Sequence, residues 1–243
     1  MLHCKFKMIS IIIPAYNEEK RLPEALNRML NYLKKRKLRN EIIIVADKSK
    51  DRTLEVVKYY SKRYKNIRYI YNPKKQGKGY AIKKGVLASK GSLVLFADAD
   101  TSTPITELGN FMPQIKGYDI VIGSREHKDS IVKNKLISRV VLGNLGNILL
   151  RLLLIKRIKD TQCGFKLFKG NIARELFSLS RIKGFGFDFE IIFLAQKKKY
   201  KIREMPVSWT YCDGTKVTWQ SHFGTLRELF EIKLNHLLGK YRI

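Results

Sequence analysis

The sequence predicts an α/β fold, a mostly parallel sheet with helices on both faces. Three observations point there. Short β-branched or aromatic runs alternate with helix-patterned segments through the first half of the chain. Such alternation calls for crossover connections between parallel strands. Acids, cations and turn residues gather just after the runs, at the strand ends where open α/β sheets bind ligands. Neither an internal repeat nor a low-complexity linker interrupts the chain, so residues 1–243 read as one domain.

The elements follow in order. Met8–Ile13 reads as the first strand, trailed by "IPAYNEE", and Glu18–Lys37 as the first helix. Glu41–Ala46 is the second strand, with "VADKSKDRT" at its end and a helix over Asp51–Tyr64. Ile67–Tyr71, then "NPKKQGKG", leads into a helix at Lys78–Ser89. Ser92–Ala97 is an apolar run that ends in "DADTS"; Thr103-Pro104 stops it, and a helix spans Ile105–Ile115. Tyr118–Ile122 is the fifth strand. A Gly-rich dinucleotide fingerprint and a Walker A sequence are both missing.

Two later segments are basic and amphipathic. Leu136–Ile155 carries a helical apolar stripe, broken by Arg139 and Arg151 and flanked by lysines and arginines. Near the C-terminus Leu226, Leu229, Phe230, Leu234 and Leu237 repeat the pattern. Helices near 131–156 and 222–240 are therefore expected at a membrane interface. No run reaches the roughly 18 apolar residues that a spanning helix needs.

Composition narrows the partners. The 243 residues carry a net charge of +28, so the partner should be anionic: nucleic acid, acidic membrane or phosphorylated substrate. With 44% hydrophobic residues the chain can bury a sizeable core. The three cysteines, Cys4, Cys163 and Cys212, are too few and too scattered for a disulfide framework or a zinc site, which suggests a reducing compartment. The first residues hold no apolar core of a signal peptide.

Asp98 and Asp100 decide between those partners. In an extended segment they share a side, about 7 Å apart by Cα. Like charges so close call for a cation or a shared proton. Two carboxylates suit a hard divalent metal, Mg²⁺ or Mn²⁺, that bridges to phosphate. Glu18, Asp47, Pro14, Tyr16, Lys78 and Arg125 lie at the neighbouring strand ends. Together these are the groups needed to hold a nucleoside diphosphate whose departure a metal assists. A nucleic-acid-binding protein would explain the charge, but its strand-end acids would repel a phosphate backbone. No nucleic acid is therefore expected.

"SIIIPAYNEEKRLPEAL", "EIIIVADKSKDRT", "NPKKQGKGYAIKKG", "FADADTSTP", "IVIGSRE", "LISR", "IKDTQCGFKLF", "FGFDFEIIFLAQ" and "VSWTYCDGTKV" occur in that order. The set resembles the glycosyltransferase family 2 enzymes that charge a polyprenyl phosphate with one sugar, most nearly the dolichyl-phosphate β-glucosyltransferases. "DTQCGFKLF" is the most specific of these motifs. The resemblance implies a GT-A fold and a metal-dependent, inverting hexose transfer to dolichyl or polyprenyl phosphate. It implies UDP-glucose as donor, with GDP-mannose as the alternative. It also implies a peripheral protein on the cytosolic membrane face, for which a prokaryotic or archaeal cell membrane is expected.

By the same resemblance, Pro14, Ala15, Tyr16 and Glu18 line the nucleoside pocket, with Val45 and Asp47 at the base or ribose. Asp98, Ala99 and Asp100 hold diphosphate and metal, with Asp98 and Asp100 as metal ligands and Asp100 favoured as the direct one. Lys78, Gln162 and Lys216 join the donor site, and Gly164 and Lys166 shape it. Arg125, Ser138 and Arg139 meet the lipid phosphate, and Arg125 counts with Asp98 and Asp100 as catalytic. One departure stands out: the family's Asp-Asp-Gly-Ser is Ala46-Asp47-Lys48-Ser49 here. Asp188 is expected to N-cap a helix. Cys163 is expected to be a small buried residue rather than a nucleophile.

Overall fold

The sheet is built outward in both directions from its first strand. The computed structural model describes residues 8–134, 154–212 and 219–243. In chain order these form β1 (Ile9–Ala15), α1 (Leu22–Lys35), β2 (Asn40–Asp47), α2 (Thr53–Arg63), β3 (Ile67–Asn72), α3 (Lys78–Ala88) and β4 (Leu93–Ala97). A 3₁₀ turn at Ile105–Glu107 precedes α4 (Leu108–Gln114), β5 (Ile120–Ser124) and β6 (Ile131–Lys133). The remainder is β7 (Phe165–Lys169), α5 (Gly170–Leu179), α6 (Phe187–Lys197), β8 (Ile202–Pro206), β9 (Ser208–Thr210) and α7 (Trp219–Leu237).

Seven strands pair in the order β3-β2-β1-β4-β7-β5-β8. All neighbours are parallel except around β7, which is antiparallel to both β4 and β5. The order turns back between β1 and β4, and such a switch point opens a crevice at the strands' carboxyl ends. β6 and β9 form a separate parallel pair. The predicted α/β class and its first five strands hold, with ends moved by one or two residues.

Successive side chains alternate between two layers. Ile12, Ile43, Val45, Val94 and Phe96 face α3, α5 and α6, whereas Ile11, Ile13, Ile42, Ile44 and Leu95 face α1, α2 and α4. Gly85 lets α3 lie close on the sheet, since a Cβ there would sit 2.4 Å from Ile12 Cγ2. The predicted Ile105–Ile115 helix is shorter than expected. Its start tightens into 3₁₀, and Pro113 in its last turn has no N–H to donate.

The C-terminal stripe divides between two faces of α7. Leu229 and Ile232 are buried and Leu226 packs partly on the core, while Phe230, Leu234 and Leu237 stay exposed at 59%, 54% and 73%. At 100° per residue the inward face is 229, 232 and 236, and the others point away. The other expected interfacial helix is met only at its ends. Ile131–Lys133 is a strand and Ile155 lies in the core; residues 135–153 lie outside the described residues.

Candidate active site

The carboxyl ends of β1, β2 and β3 are tied into one rim. Asn17 takes a left-handed conformation (φ 54°) just after β1, which Asn tolerates better than most residues. Its backbone N–H donates to Ser49 Oγ at 3.0 Å, and its side-chain oxygen accepts from Lys50 N at 2.8 Å. Glu18 N–H donates to Thr53 Oγ1 at 2.7 Å, and the Glu18 carboxylate accepts two bonds from Arg21 at 2.7 and 2.6 Å. Tyr16 presents its ring to the rim, with Lys75 Nζ 4.4 Å from the centroid. Asp47 is buried and accepts from Asn72 Nδ2 (2.7 Å), Gln76 N (2.9 Å) and Gly77 N (3.1 Å). It thereby folds the loop that delivers Lys78 to the start of α3.

Lys78 meets Asp98 across the crevice. Nζ lies 2.8 Å from Asp98 Oδ1, and the two side chains keep 20% and 28% of their surface. Burial alone would lower the Lys78 pKa, but the Asp98, Asp188 and Asp100 carboxylates raise it above its ordinary value. Asp98 is pushed up by its recessed position and by Asp100 and Asp188, against the pull of Lys78. Acids outnumber cations at this spot, which favours an added cation. Gly164 presses on the pair, since a Cβ there would lie 1.9 Å from Asp98 Oδ2. Asp100 sits one turn of the loop further, its Oδ1 accepting Ser102 N at 3.0 Å. Thr101 between them has φ 56°, a strained conformation for a β-branched residue.

A second layer of charge lies beneath. Lys166, 1% exposed, donates to Asp188 and, at 2.7 Å, to the Cys163 carbonyl. Its Nζ is 5.1 Å from the Phe96 ring centroid, with Lys78 Nζ at 5.5 Å from the same ring. Arg125 grips Asp160 through Nε at 2.7 Å and Nη2 at 2.9 Å, with a backbone bond at 2.9 Å, and its guanidinium faces Trp209. Burial pushes the Cys163 thiol up to about 12, so it is inert at neutral pH.

Burial alone would raise the Asp160 pKa, but Arg125 overcomes it and holds the carboxyl at about 2. Because the folded value lies below the ordinary one, the pair stabilises the fold above about pH 4 and loses its contribution as pH falls towards 2. Asp160→Asn should cost about 2–3 kcal/mol at pH 7. In urea melts the gap to wild type should close between pH 4 and 2. A constant gap would show that the charge is irrelevant.

The crevice thus gathers Pro14, Tyr16, Glu18, Lys78, Asp98 and Asp100 around the switch point. The other expected site residues are placed as follows, and one expectation, the Asp188 cap, needs correction. Val45 is fully buried in the layer under α3, so its side chain cannot reach a base. Ala15 and Ala99 are buried on the opposite layer and offer only backbone. Asp47 has both oxygens engaged by Asn72 and the loop between β3 and α3. Asp188 is no cap: it lies inside α6, which starts from Gly186, and pairs with Lys166. Lys166 lies too deep to touch a sugar. Arg125 already has a carboxylate partner. Gln162 is half-buried beside it, its N–H on Asp160 Oδ1 at 3.0 Å. Ser138, Arg139 and Lys216 lie outside the described residues. Asn17 and Asp160 were missed. The first had a visible signal, an Asn at a strand end; the second opens the "DTQCGFKLF" motif, but its partner Arg125 is 35 residues away.

Comparison with known proteins agrees with this architecture. Glycosyl transferase family 2 matches residues 10–177. A dolichyl-phosphate beta-glucosyltransferase of Trichomonas vaginalis is 39% identical over 247 residues, covering 97% of this chain and 76% of the relative. The enzymes of that name from Homo sapiens and Saccharomyces cerevisiae are 36% and 32% identical, over 98% and 96% of this chain and 78% and 76% of theirs. These relatives are eukaryotic and give the expected prokaryotic setting no support.

Among solved structures, glucosyl-3-phosphoglycerate synthase from Mycobacterium tuberculosis, in complex with Mn²⁺, uridine-diphosphate-glucose and phosphoglyceric acid, superposes with TM-score 0.65 at 18% identity. The match covers 98% of this chain and 80% of that one. Mannosyl-3-phosphoglycerate synthase from Rubrobacter xylanophilus gives 0.68 at 16%, over 97% and 75%. At such identities the likeness establishes the fold. With the family match over most of the chain and relatives aligned nearly end to end, the chain belongs to glycosyl transferase family 2, among the dolichyl-phosphate β-glucosyltransferases.

Proposed function

We propose that this chain transfers glucose from UDP-glucose to the phosphate of dolichyl or another polyprenyl phosphate, at a membrane surface and with inversion. The observation that carries the reading is the meeting of Asp98, Asp100 and Lys78 at the β1/β4 switch point, in a chain whose relatives are named for this reaction. Among the described residues no group of three or more His, Cys, Asp or Glu forms a metal cage. Two carboxylates alone fit a hard cation whose shell is completed by substrate phosphate and water. Asp100, with Asp98 beside it, would hold Mg²⁺ or Mn²⁺. Such a cation, when bound, neutralises charge on the diphosphate leaving group.

The residues themselves bind, orient and screen. A phosphate monoester is mostly dianionic at neutral pH, so its oxygen needs no general base. That oxygen forms a bond to the anomeric carbon as the carbon–diphosphate bond breaks, and UDP leaves with the electron pair. One displacement turns an α-linked donor into a β-linked product. Lys78 supplies positive charge at the diphosphate and lowers the repulsion between two anionic substrates. Tyr16 offers its face to the base, and Glu18 takes the nucleoside side of the rim. Arg125, held by Asp160 and Trp209, presents its remaining edge to phosphate. Ser138, Arg139 and Lys216 keep their proposed phosphate contacts. Asp188 and Glu190 are not needed as bases: Lys166 engages the first, and Tyr241 with the Arg181 and Ile182 N–H groups engages the second.

A direct test uses purified protein, dolichyl phosphate and UDP-glucose labelled in the sugar. Label should enter the organic phase with Mg²⁺ or Mn²⁺, stop in excess EDTA and resume on metal add-back. Undiminished transfer in EDTA would contradict the metal's role.

Among the described residues no helix is long and apolar enough to cross a membrane. The outer face of α7 supports peripheral binding: Phe230, Leu234 and Leu237 lie beside Arg227, Glu231 and Lys233, two cations to one acid. Apolar insertion plus attraction to acidic headgroups suits such a face. A Phe230→Glu, Leu234→Glu double variant should lower binding to anionic vesicles about tenfold or more in flotation. UDP binding should stay unchanged. Flotation like wild type would place the membrane contact elsewhere.

A further inference from the structure

Lys78 stands on the first turn of α3, and that turn is held from outside its own helix. Gly79 N–H donates to the Gly184 carbonyl at 3.2 Å and Tyr80 N–H to the Lys183 carbonyl at 3.1 Å. The 183–186 loop is held in turn by one side chain of α7. Glu228 accepts Gly184 N–H on Oε1 at 3.0 Å and Gly186 N–H on Oε2 at 2.7 Å. The joint has no slack. A Cβ on Gly184 would lie 2.1 Å from Glu228 Oε1, one on Gly186 2.8 Å from Glu228 Cβ, and one on Gly79 2.7 Å from Phe187 Cβ. Gly77, at φ 106°, would bring a Cβ to 2.5 Å from the Lys183 carbonyl oxygen. Gly186 also starts α6, which carries the Asp188 that pairs with Lys166. One carboxylate on α7 therefore fixes the launching points of both charged pairs at and beneath the crevice.

We propose that Glu228 is a positioning residue for the donor site: by clamping the 183–186 loop it sets the first turn of α3, and through it the Lys78–Asp98 pair. This rests on the reading that Lys78 meets the donor diphosphate. Glu228 itself touches no substrate. A glutamine there keeps one acceptor but sets an N–H₂ against the second backbone N–H, so the loop must shift on one side. A shift of a few tenths of an ångström at the loop moves the ammonium at the crevice, because the glycine contacts transmit it without give.

Steady-state kinetics with UDP-glucose and dolichyl phosphate test this in four proteins: wild type, Glu228→Gln, Lys78→Met and the double variant. Glu228→Gln should raise the KM for UDP-glucose about fivefold or more, with the KM for dolichyl phosphate within about twofold. In the Lys78→Met background the same change should have less than about a twofold effect, since its target is gone. Calorimetry with UDP should show the same pattern. Full additivity of the two changes, or an unchanged donor KM in Glu228→Gln, overturns the inference and leaves the reading of Lys78 intact. If Lys78→Met alone leaves the donor KM unchanged, the reading and the inference fall together. Circular dichroism confirms folding, and Glu228→Asp, too short to span both N–H groups, replaces the glutamine variant if that one does not fold.

Discussion

In an Asp100→Ala variant, sugar transfer is expected to fall at least about 10³-fold while the melting temperature stays within a few degrees of wild type. Asp100 lies in the loop after β4, half-exposed, and among the described residues its carboxylate accepts one hydrogen bond, from Ser102 N two residues on. Removing it costs the loop that hydrogen bond from Ser102 N–H, about 1 kcal/mol, which is a shift of only a few degrees in a chain of this size. It does remove the carboxylate best placed for a cation at the diphosphate, and a factor of 10³ corresponds to about 4 kcal/mol of transition-state stabilisation. Asp98 would make a poorer test, because its loss leaves Lys78 without its partner and mixes folding with chemistry. Single-turnover transfer measured beside a thermal melt separates the two. Wild-type activity in Asp100→Ala would remove the acid from the mechanism.

Asp188→Ala should have the opposite profile: a large loss of stability. Both partners of the Lys166–Asp188 pair are almost wholly buried, with 2% and 5% of their side-chain surface left. Removing the acid strands an ammonium inside the core, which costs about 3–5 kcal/mol. In a chain of this size the melting temperature should drop by about 10 °C or more. A Lys166→Met, Asp188→Leu double variant should recover most of that loss, since apolar side chains of similar volume often replace a buried pair at little cost. A single variant that melts like wild type would show that the pair is not coupled to folding.

The parts of the molecule legible in its sequence are those set by local pattern. The first five strands and the helices between them announce themselves through β-branched runs and helical spacing, and their order places Asp98 beside Pro14 and Tyr16. β7 was not legible as an antiparallel insertion. A strand's direction is fixed by where the chain has come from, and β7 returns to β4 across almost seventy residues. The buried pairs were hidden for the same reason: Arg125 and Asp160, or Lys166 and Asp188, are ordinary charges until the fold brings them together. Val45 came to the pocket through the resemblance alone, and strand alternation turns its side chain into the helix layer. The stripe on α7 was visible, but its division into a buried and an exposed face depends on where the core lies.

The most direct test of the central claim is a donor screen with the purified protein, dolichyl phosphate, Mg²⁺ and a panel of nucleotide sugars labelled in the sugar. UDP-glucose should label the lipid fastest, and the product should carry a β-linked glucosyl phosphate. Labelling from GDP-mannose in preference to UDP-glucose would contradict the donor, and an α-linked product would contradict the single displacement. A protein that bound none of the donors and labelled no lipid would contradict the account as a whole.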